Sequence, residues 1–261
     1  KSGKEGYTKA CYSAYRERAV GLGAMGFHSY LQRNGLPFAG YRSASFNNRA
    51  FRHIKDEAIR ASERLAEERS EAPDMVGSNL RNSHLLAIAP NASSSIICGN
   101  TSPSIEPYRA NAFTQKTKTG SALLKNPFLE KLLEEKGENT EEVWKTIITN
   151  NGSVQHLECL TDYEKDTFKT AVELDQRWVV EHAADRQEHI CQAQSVNMFF
   201  PADVSKQELH NVHLMAWTKK LKTLYYLRSE ALKRAEVVSD EKLREYIFDF
   251  DDEEGCLACE G

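Results

Sequence analysis

Two cysteines close to the carboxyl end of the sequence, Cys256 and Cys259, stand three positions apart beside the strongly acidic run 249–254. A charge run this dense resists collapse, and chain ends are poorly ordered unless another element holds them. We therefore expect the pair to lie on a mobile segment. A dithiol on such a segment can travel to another site, where a thiolate attacks a disulfide through a mixed-disulfide intermediate. The pair predicts a reducing arm.

Two other interpretations of the cysteine pair stay open on the residues alone. A Cys-x-x-Cys can supply half of a zinc site, which needs four ligands and usually a second pair, or it can be incidental. The remaining cysteines are scattered singly, at Cys11, Cys98, Cys159 and Cys191. The eight histidines contain no His-Glu-x-x-His pattern. We therefore predict no metal site, and reduced thiols rather than structural disulfides.

A serine-rich segment has the composition of an anion-binding turn. It consists of Pro90, Asn91, Ala92, Ser93, Ser94 and Ser95. An apolar run leads into it, small side chains let backbone N–H groups converge, and the following helix adds its dipole, with the hydroxyls as further donors. The segment can equally be a plain serine-rich helix cap. Because no Walker pattern and no Gly-x-Gly-x-x-Gly occurs, a standard nucleotide-binding loop is not predicted.

Two consecutive tyrosines, Tyr225 and Tyr226, lie near the end of the strand predicted over residues 221–227. In an undistorted strand consecutive side chains point to opposite faces, so such a pair divides between core and surface and serves packing. The alternative is a stacked pair of phenols, each of which hands on one electron and one proton. The pair taken alone does not support that alternative.

The surrounding elements predict an α/β domain with parallel strands. Helices are expected over residues 8–34, 46–69, 128–136, 140–150, 162–192 and 206–220, and strands over 84–89, 195–200 and 221–227. Residues 101–120 are turn-rich, with a short extended piece near 112–115. Gly21, Gly23 and Gly26 fall inside the first predicted helix, where glycine costs stability, so we expect them to permit the close approach of another element.

Composition excludes some classes of protein. The 261 residues are 40% hydrophobic and 28% charged, with a formal net charge of -4, so nothing in the charge favours binding to nucleic acid. There is no run of 18 apolar residues that would predict a membrane span. We expect a cytoplasmic protein with no membrane association.

Several of these stretches occur together, in this order, in one family. The sequence resembles the carboxy-terminal third of the large, catalytic subunit of class I ribonucleotide reductases. The resemblance rests on the stretches 18–23, 80–83, 85–90, 91–95, 104–107 and 222–226, the last reading Lys-Thr-Leu-Tyr-Tyr, and on the terminal cysteine pair. Residues 126–160 contribute little to it.

The resemblance implies a fold and a set of roles. Residues 1–235 are expected to form the second half of a ten-stranded α/β barrel, with parallel strands inside and helices outside, and residues 236–261 a flexible, acidic C-terminal tail. The loop from Pro90 to Ser95 would hold the phosphates of a ribonucleotide substrate. Tyr225 and Tyr226 would relay a radical from the small subunit. Cys256 and Cys259 would re-reduce the active-site disulfide and then be reduced by thioredoxin or glutaredoxin.

The family's thiyl-radical cysteine has no matching context in this sequence, nor do its two substrate-reducing cysteines. The resemblance therefore implies a complementary chain that supplies them, together with a di-iron, tyrosyl-radical small subunit and with ATP and dNTP effectors bound by an N-terminal part. A naturally split subunit and a fragment of a continuous one both fit, and the split is the preferred expectation. A protein of another class, a non-enzymatic interaction module whose cysteine tail is a thioredoxin substrate, is the alternative.

Overall fold

A computed structural model describes residues 8–117 and 120–229; the predicted tail, with Cys256 and Cys259, lies outside the described residues. The amino-terminal part holds three helices: α1 (Thr8–Glu17), α2 (Phe27–Arg33) and α3 (Tyr41–Arg69). The third helix was predicted, but it begins five residues earlier than expected. A short 3-10 turn (Pro73–Met75) follows it.

The single helix predicted over residues 8–34 is wrong, because residues 18–26 leave the helix and residues 20–22 run extended beside residues 84–87. Leu22 N–H donates to the Leu85 carbonyl at 2.8 Å, and Ala87 N–H donates back to the Leu22 carbonyl at 3.1 Å. The glycines do permit a close approach, as expected: a Cβ at Gly23 would lie 3.1 Å from the Ala87 carbonyl oxygen. The approaching element is this neighbouring segment.

Four extended segments lie side by side in parallel. Bridges join Leu22 to Leu86 and Ile88 to Gln194, both parallel. The third segment continues into β3 (Met198–Phe200), which pairs in parallel with β4 (Leu227–Ser229). The order across the sheet is therefore 20–22, 85–88, 192–200 and 225–229. A strand was predicted over residues 221–227, and the observed strand β4 is shorter and begins later, at Leu227.

The middle of the chain forms a separate layer of short elements. A short helix was predicted at the serine-rich segment, and α4 (Ala92–Ile97) begins inside it, so that Ala92–Ser95 form its first turn. A hairpin of β1 (Ala112–Thr117) and β2 (Gly120–Lys125) was missed apart from its first residues. Helices α5 (Pro127–Glu135) and α6 (Glu141–Thr149) agree with prediction. Their apolar faces build a core around Leu129, Leu133, Trp144 and Ile147.

The long helix predicted over residues 162–192 is two helices, α7 (Asp162–Thr167) and α8 (Gln176–Gln187). Glu173 binds the Thr170 N–H and hydroxyl, at 2.8 and 2.9 Å, and so closes the turn between them, and Asp175 caps α8. Helix α9 (Lys206–Thr218) follows β3. The main core lies where α2, α8 and α9 cover β3, around Phe27, Leu31, Phe38, Val180 and Val212. No helix in the described part of the chain combines the length and apolarity needed to cross a membrane.

Candidate functional site

The serine-rich segment lies directly after the second extended segment, at its carboxyl end. Asn91 adopts a left-handed conformation (φ 56°) and begins α4 without a side-chain hydrogen bond to the helix. Ser93 and Ser94 are exposed, whereas Ser95 is buried and its hydroxyl donates to the Ala92 carbonyl at 2.7 Å. Two of the three hydroxyls in the segment, together with the amides of the first turn, are therefore presented outward.

The stretch from Lys222 to Tyr226 lies beside the third extended segment, residues 192–200, and the residues just before it. The Lys222 ammonium group donates to the carbonyls of Ile190, Cys191 and Gln192, each at 2.9 Å. The Thr223 hydroxyl donates to the Gln194 carbonyl, also at 2.9 Å. Because one side chain after another is anchored in this way, the position of the tyrosine pair is fixed from the residues that precede it.

Tyr225 and Tyr226 contact each other. Their ring centroids are 4.2 Å apart at an interplanar angle of 55°, and the side chains are 39% and 44% exposed. The division between core and surface expected for an undistorted strand does not occur. The reason is in the backbone: the regular strand begins at Leu227, and the pair stands just before it.

The backbone at the tyrosine pair is irregular because two successive amides both donate hydrogen bonds to the same neighbouring strand. Tyr225 N–H donates to the Val196 carbonyl at 2.9 Å, and Tyr226 N–H donates to the side-chain oxygen Oδ1 of Asn197 at 3.0 Å. In a regular strand successive residues alternate in direction. Here both residues are directed alike, as in a bulge, where two residues of one strand oppose one of the other. This local geometry brings both phenols to one side.

The serine-rich segment and the tyrosine pair lie at the same level of the sheet. Ile88 is level with Gln194, and Tyr225 binds Val196, two residues further along the same strand. By this register the tyrosine pair stands opposite Asn197, three residues after Gln194, and the corresponding position on the strand next but one is residue 91. Since adjacent strands are about 4.8 Å apart, the two backbones are separated by roughly 10 Å. Carboxyl ends of parallel strands are where ligands usually bind in open α/β sheets.

A buried carboxyl group beside the tyrosine pair was missed from the sequence. Glu106 is 5% exposed, and its Oε1 accepts from Asn197 Nδ2 at 2.5 Å. Burial raises the pKa of Glu106 to about 7, while Arg109, the Asn197 hydrogen bond and Arg228 act in the opposite direction. The Arg228 guanidinium carbon lies 5.1 Å from the Tyr226 ring centroid. In the sequence, Glu106 was noted only as part of the stretch 104–107, Ser-Ile-Glu-Pro, which supports the family resemblance.

Other ligand-binding groups are sparse in the part of the chain that the structure describes. It contains no group of three or more His, Cys, Asp or Glu side chains placed to hold a metal ion. Its four cysteines, at positions 11, 98, 159 and 191, are free thiols. The candidate site is therefore built from the serine-rich segment, the tyrosine pair and the carboxyl group of Glu106.

Comparison with known proteins identifies similar chains. Residues 4–80 and 74–227 match the family described as "Ribonucleotide reductase, barrel domain". A protein of Frog virus 3 (isolate Goorha), the "Putative ribonucleoside-diphosphate reductase large subunit", is 45% identical over 253 residues, which are 97% of this chain and 44% of that protein. The "Ribonucleoside-diphosphate reductase large subunit" of Danio rerio is 31% identical over 248 residues, 82% of this chain and 31% of its own length.

A solved structure shows the same fold. The "Actinobacillus ureae class Id ribonucleotide reductase alpha subunit" superposes with a TM-score of 0.82 at 41% sequence identity, covering 88% of this chain and 42% of that chain. The present chain therefore spans less than half the length of these relatives.

Proposed function

This chain belongs to the family of the ribonucleotide reductase barrel domain, and we propose that it forms part of the large, catalytic subunit of a class I ribonucleoside-diphosphate reductase. Such an enzyme replaces the 2′-hydroxyl of a ribonucleotide by hydrogen, in deoxyribonucleotide biosynthesis. Two electrons and two protons enter, and water leaves. The observation that carries the proposal is the contact between Tyr225 and Tyr226, level with a serine-rich loop at the carboxyl ends of parallel strands.

The loop is proposed to bind the phosphates of the substrate. Its left-handed Asn91 begins a helix whose first turn has no side-chain cap from that residue, and Ser93 and Ser94 are exposed beside it. Amide groups and hydroxyls directed outward from a helix start are suited to phosphate oxygens, and the helix dipole favours their charge. Ser95 would contribute its backbone rather than its hydroxyl, because that hydroxyl is bound to Ala92.

The tyrosine pair is proposed to relay a radical. A phenoxyl radical takes one electron and one proton from the phenol beside it, so the first ring becomes a phenol again and the second ring becomes the radical. A centroid separation of 4.2 Å places the rings in direct contact. Their partial exposure leaves room for a small radical-bearing subunit, with its di-iron site and tyrosyl radical, to approach.

The remaining parts of the reaction are proposed to come from outside the described residues. Cys256 and Cys259 would deliver the two electrons and become a disulfide, which thioredoxin or glutaredoxin reduces. The thiyl-radical cysteine would come from a complementary large-subunit polypeptide, whose N-terminal part would bind the ATP and dNTP effectors.

The sheet supports a complementary polypeptide. Within the described residues the segment 20–22 and strand β4 are each paired on one side only. Apolar side chains stand at both margins, with Val20 47%, Leu22 51% and Leu227 48% exposed. Unpaired strand margins with exposed apolar side chains favour association. We propose that both margins pair with the other half of a ten-stranded barrel, in a cytoplasmic complex.

The test is the removal of single phenolic oxygens in the complete reductase, reconstituted with its small subunit. Tyr225→Phe and Tyr226→Phe should each abolish reduction of a ribonucleoside diphosphate and leave substrate binding and thermal unfolding unchanged. Tyr30→Phe is the matched control, because Tyr30 is 45% exposed and stacks on Phe46 at the same centroid distance of 4.2 Å. Turnover that survives both changes would refute the relay.

A further inference from the structure

Asn197 is held between the buried carboxyl group and the tyrosine pair. It is 2% exposed, its Nδ2 donates to Glu106 Oε1 at 2.5 Å, and its Oδ1 accepts the N–H of Tyr226 at 3.0 Å. The two ends of an amide side chain have nearly the same shape and differ in being donor and acceptor. When ionised, the carboxyl group of Glu106 only accepts hydrogen bonds, so it binds the nitrogen end and selects the orientation in which the oxygen end meets Tyr226.

This orientation matters because the Tyr226 N–H has a side chain rather than a backbone carbonyl as its acceptor. The Val196 carbonyl already accepts from Tyr225. Turning the Asn197 amide over would bring its nitrogen against the Tyr226 N–H, donor to donor. The irregular backbone that directs both tyrosines to one side would then lose the hydrogen bond that holds its second residue.

The same carboxyl group acts on the ring of Tyr226 through a cation. Glu106 interacts electrostatically with Arg228 and Arg109, and the Arg228 guanidinium carbon is 5.1 Å from the Tyr226 ring centroid. A guanidinium within about 6 Å of a ring centroid is attracted by the ring. Glu106 thus influences Tyr226 at its backbone, through Asn197, and at its ring, through Arg228.

We propose that Glu106 is a positioning residue for the tyrosine pair, which orients the Asn197 amide so that the irregular backbone at Tyr226 is held and the two phenols stay in contact. The inference deepens the proposed function and rests on it, since the value of the contact lies in the radical relay. Glu106 itself takes no part in the transfer of the electron.

The test compares variants in the complete reductase. Glu106→Ala and Asn197→Ala should each lower kcat by about tenfold to a hundredfold, with the KM for the nucleotide unchanged, because misplacing reacting groups by about 1 Å costs that much. The double variant should lose no more than Glu106→Ala alone, because that change already removes the partner that orients Asn197. Glu106→Gln retains an acceptor for Asn197 and should recover most of the rate.

A second readout does not need turnover. With 3-fluorotyrosine at position 226, the fluorine resonance should move in Glu106→Ala and in Asn197→Ala, and stay close to the wild-type position in Glu106→Gln. The matched control is Glu173→Ala, which removes a partly buried, hydrogen-bonded carboxylate in the turn before α8. That variant should change neither kcat nor the resonance.

The outcomes separate the two proposals. If Tyr226→Phe abolishes turnover while Glu106→Ala and Asn197→Ala retain it, the positioning role is overturned and the relay stands. If Tyr226→Phe retains turnover, the relay fails, and the fluorine resonance still decides whether Glu106 positions the ring. An unmoved resonance in Glu106→Ala and Asn197→Ala overturns the positioning proposal in either case. Additive losses in the double variant would also overturn it.

Discussion

Two fully buried histidines should make the fold sensitive to acid. The rings of His28 and His182 both contact the ring of Phe38 edge to face, at centroid distances of 5.4 and 4.9 Å. His28 Nδ1 accepts the N–H of Tyr108 at 2.9 Å, and His182 Nε2 lies 2.8 Å from the Phe38 carbonyl, to which it must donate. These hydrogen bonds assign the neutral Nε2–H tautomer to both rings. A second proton on His28, at Nδ1, would face the N–H of Tyr108. A second proton on His182, also at Nδ1, would have no hydrogen-bond acceptor among the described residues.

The loss of folding stability in acid follows from the pKa values of the two histidines. Burial lowers the pKa of His28 to about 3 and that of His182 to about 4, from an ordinary value of 6.5. Both folded pKa values lie below the unfolded value, so stability is full above pH 6.5 and is lost as the pH falls toward 4 and then 3. At about pH 5 the unfolded chain binds a proton at each site that the folded chain does not. Each site should therefore cost about 2 kcal/mol, and the two together about 4 kcal/mol.

Amide hydrogen exchange in the complete protein measures this loss locally, as the free energy of opening of α2 and α8 at about pH 8 and about pH 5. His28→Asn keeps an acceptor for Tyr108, and His182→Gln keeps a donor for Phe38. Each should reduce the fall between the two pH values by about 2 kcal/mol. His210→Gln, at an exposed position on α9, is the matched control. A fall of wild-type size in both core variants would refute the reasoning.

Three further changes have defined outcomes. Gly152 has φ +79° and a Cβ there would lie 2.4 Å from an alanine Cβ, so Gly152→Ala should cost more than Gly137→Ala, where φ is +75° and nothing lies within 4 Å. We expect about 1 kcal/mol for the second and at least about 2 kcal/mol more for the first, measured by denaturant unfolding, and equal costs would contradict the steric argument. Lys222→Met removes three hydrogen bonds to carbonyls and should lower the opening free energy of residues 221–227 by about 1–2 kcal/mol in hydrogen exchange; unchanged protection would exclude an anchoring role. Replacing Cys256 and Cys259 by Ser should abolish turnover with thioredoxin but retain it with dithiothreitol, and loss with both reductants would contradict a carrier role.

Helices with a clear apolar period were predictable from the sequence. Those over residues 127–135, 141–149 and 206–218 have caps with a recognisable chemistry, in Asn126, Thr140 and Ser205. The segment at residues 18–26 was mistaken for helix because its few apolar residues satisfy a helical period and an extended run alike. The break between α7 and α8 depends on Glu173 folding back onto Thr170, which neither a proline nor a glycine announces.

The candidate site was predictable in its residues but not in its geometry. The loop after the second strand and the tyrosine pair were found by motif, but helix α4 begins at Ala92, inside the loop expected over Pro90–Ser95. The contact between Tyr225 and Tyr226 contradicts simple strand alternation, and it depends on the side chain of Asn197, which is remote in sequence. Glu106 was missed for the same reason, because its burial comes from tertiary packing. Cys256 and Cys259 lie outside the described residues, so their role stays a prediction.

The most direct test of a reductase role is to purify this chain from its native source under mild conditions, identify the polypeptides that accompany it and their ratio, and assay the preparation for reduction of a ribonucleoside diphosphate. We expect the rest of a large subunit, with the thiyl-radical cysteine, in stoichiometric amount, a small radical-bearing subunit, and formation of a deoxyribonucleotide. If the rest of the large subunit arrives as a separate polypeptide, the subunit is split; if it is covalently joined, the subunit is continuous. A chain recovered alone, folded and monomeric, with no product formed, would contradict the proposed function.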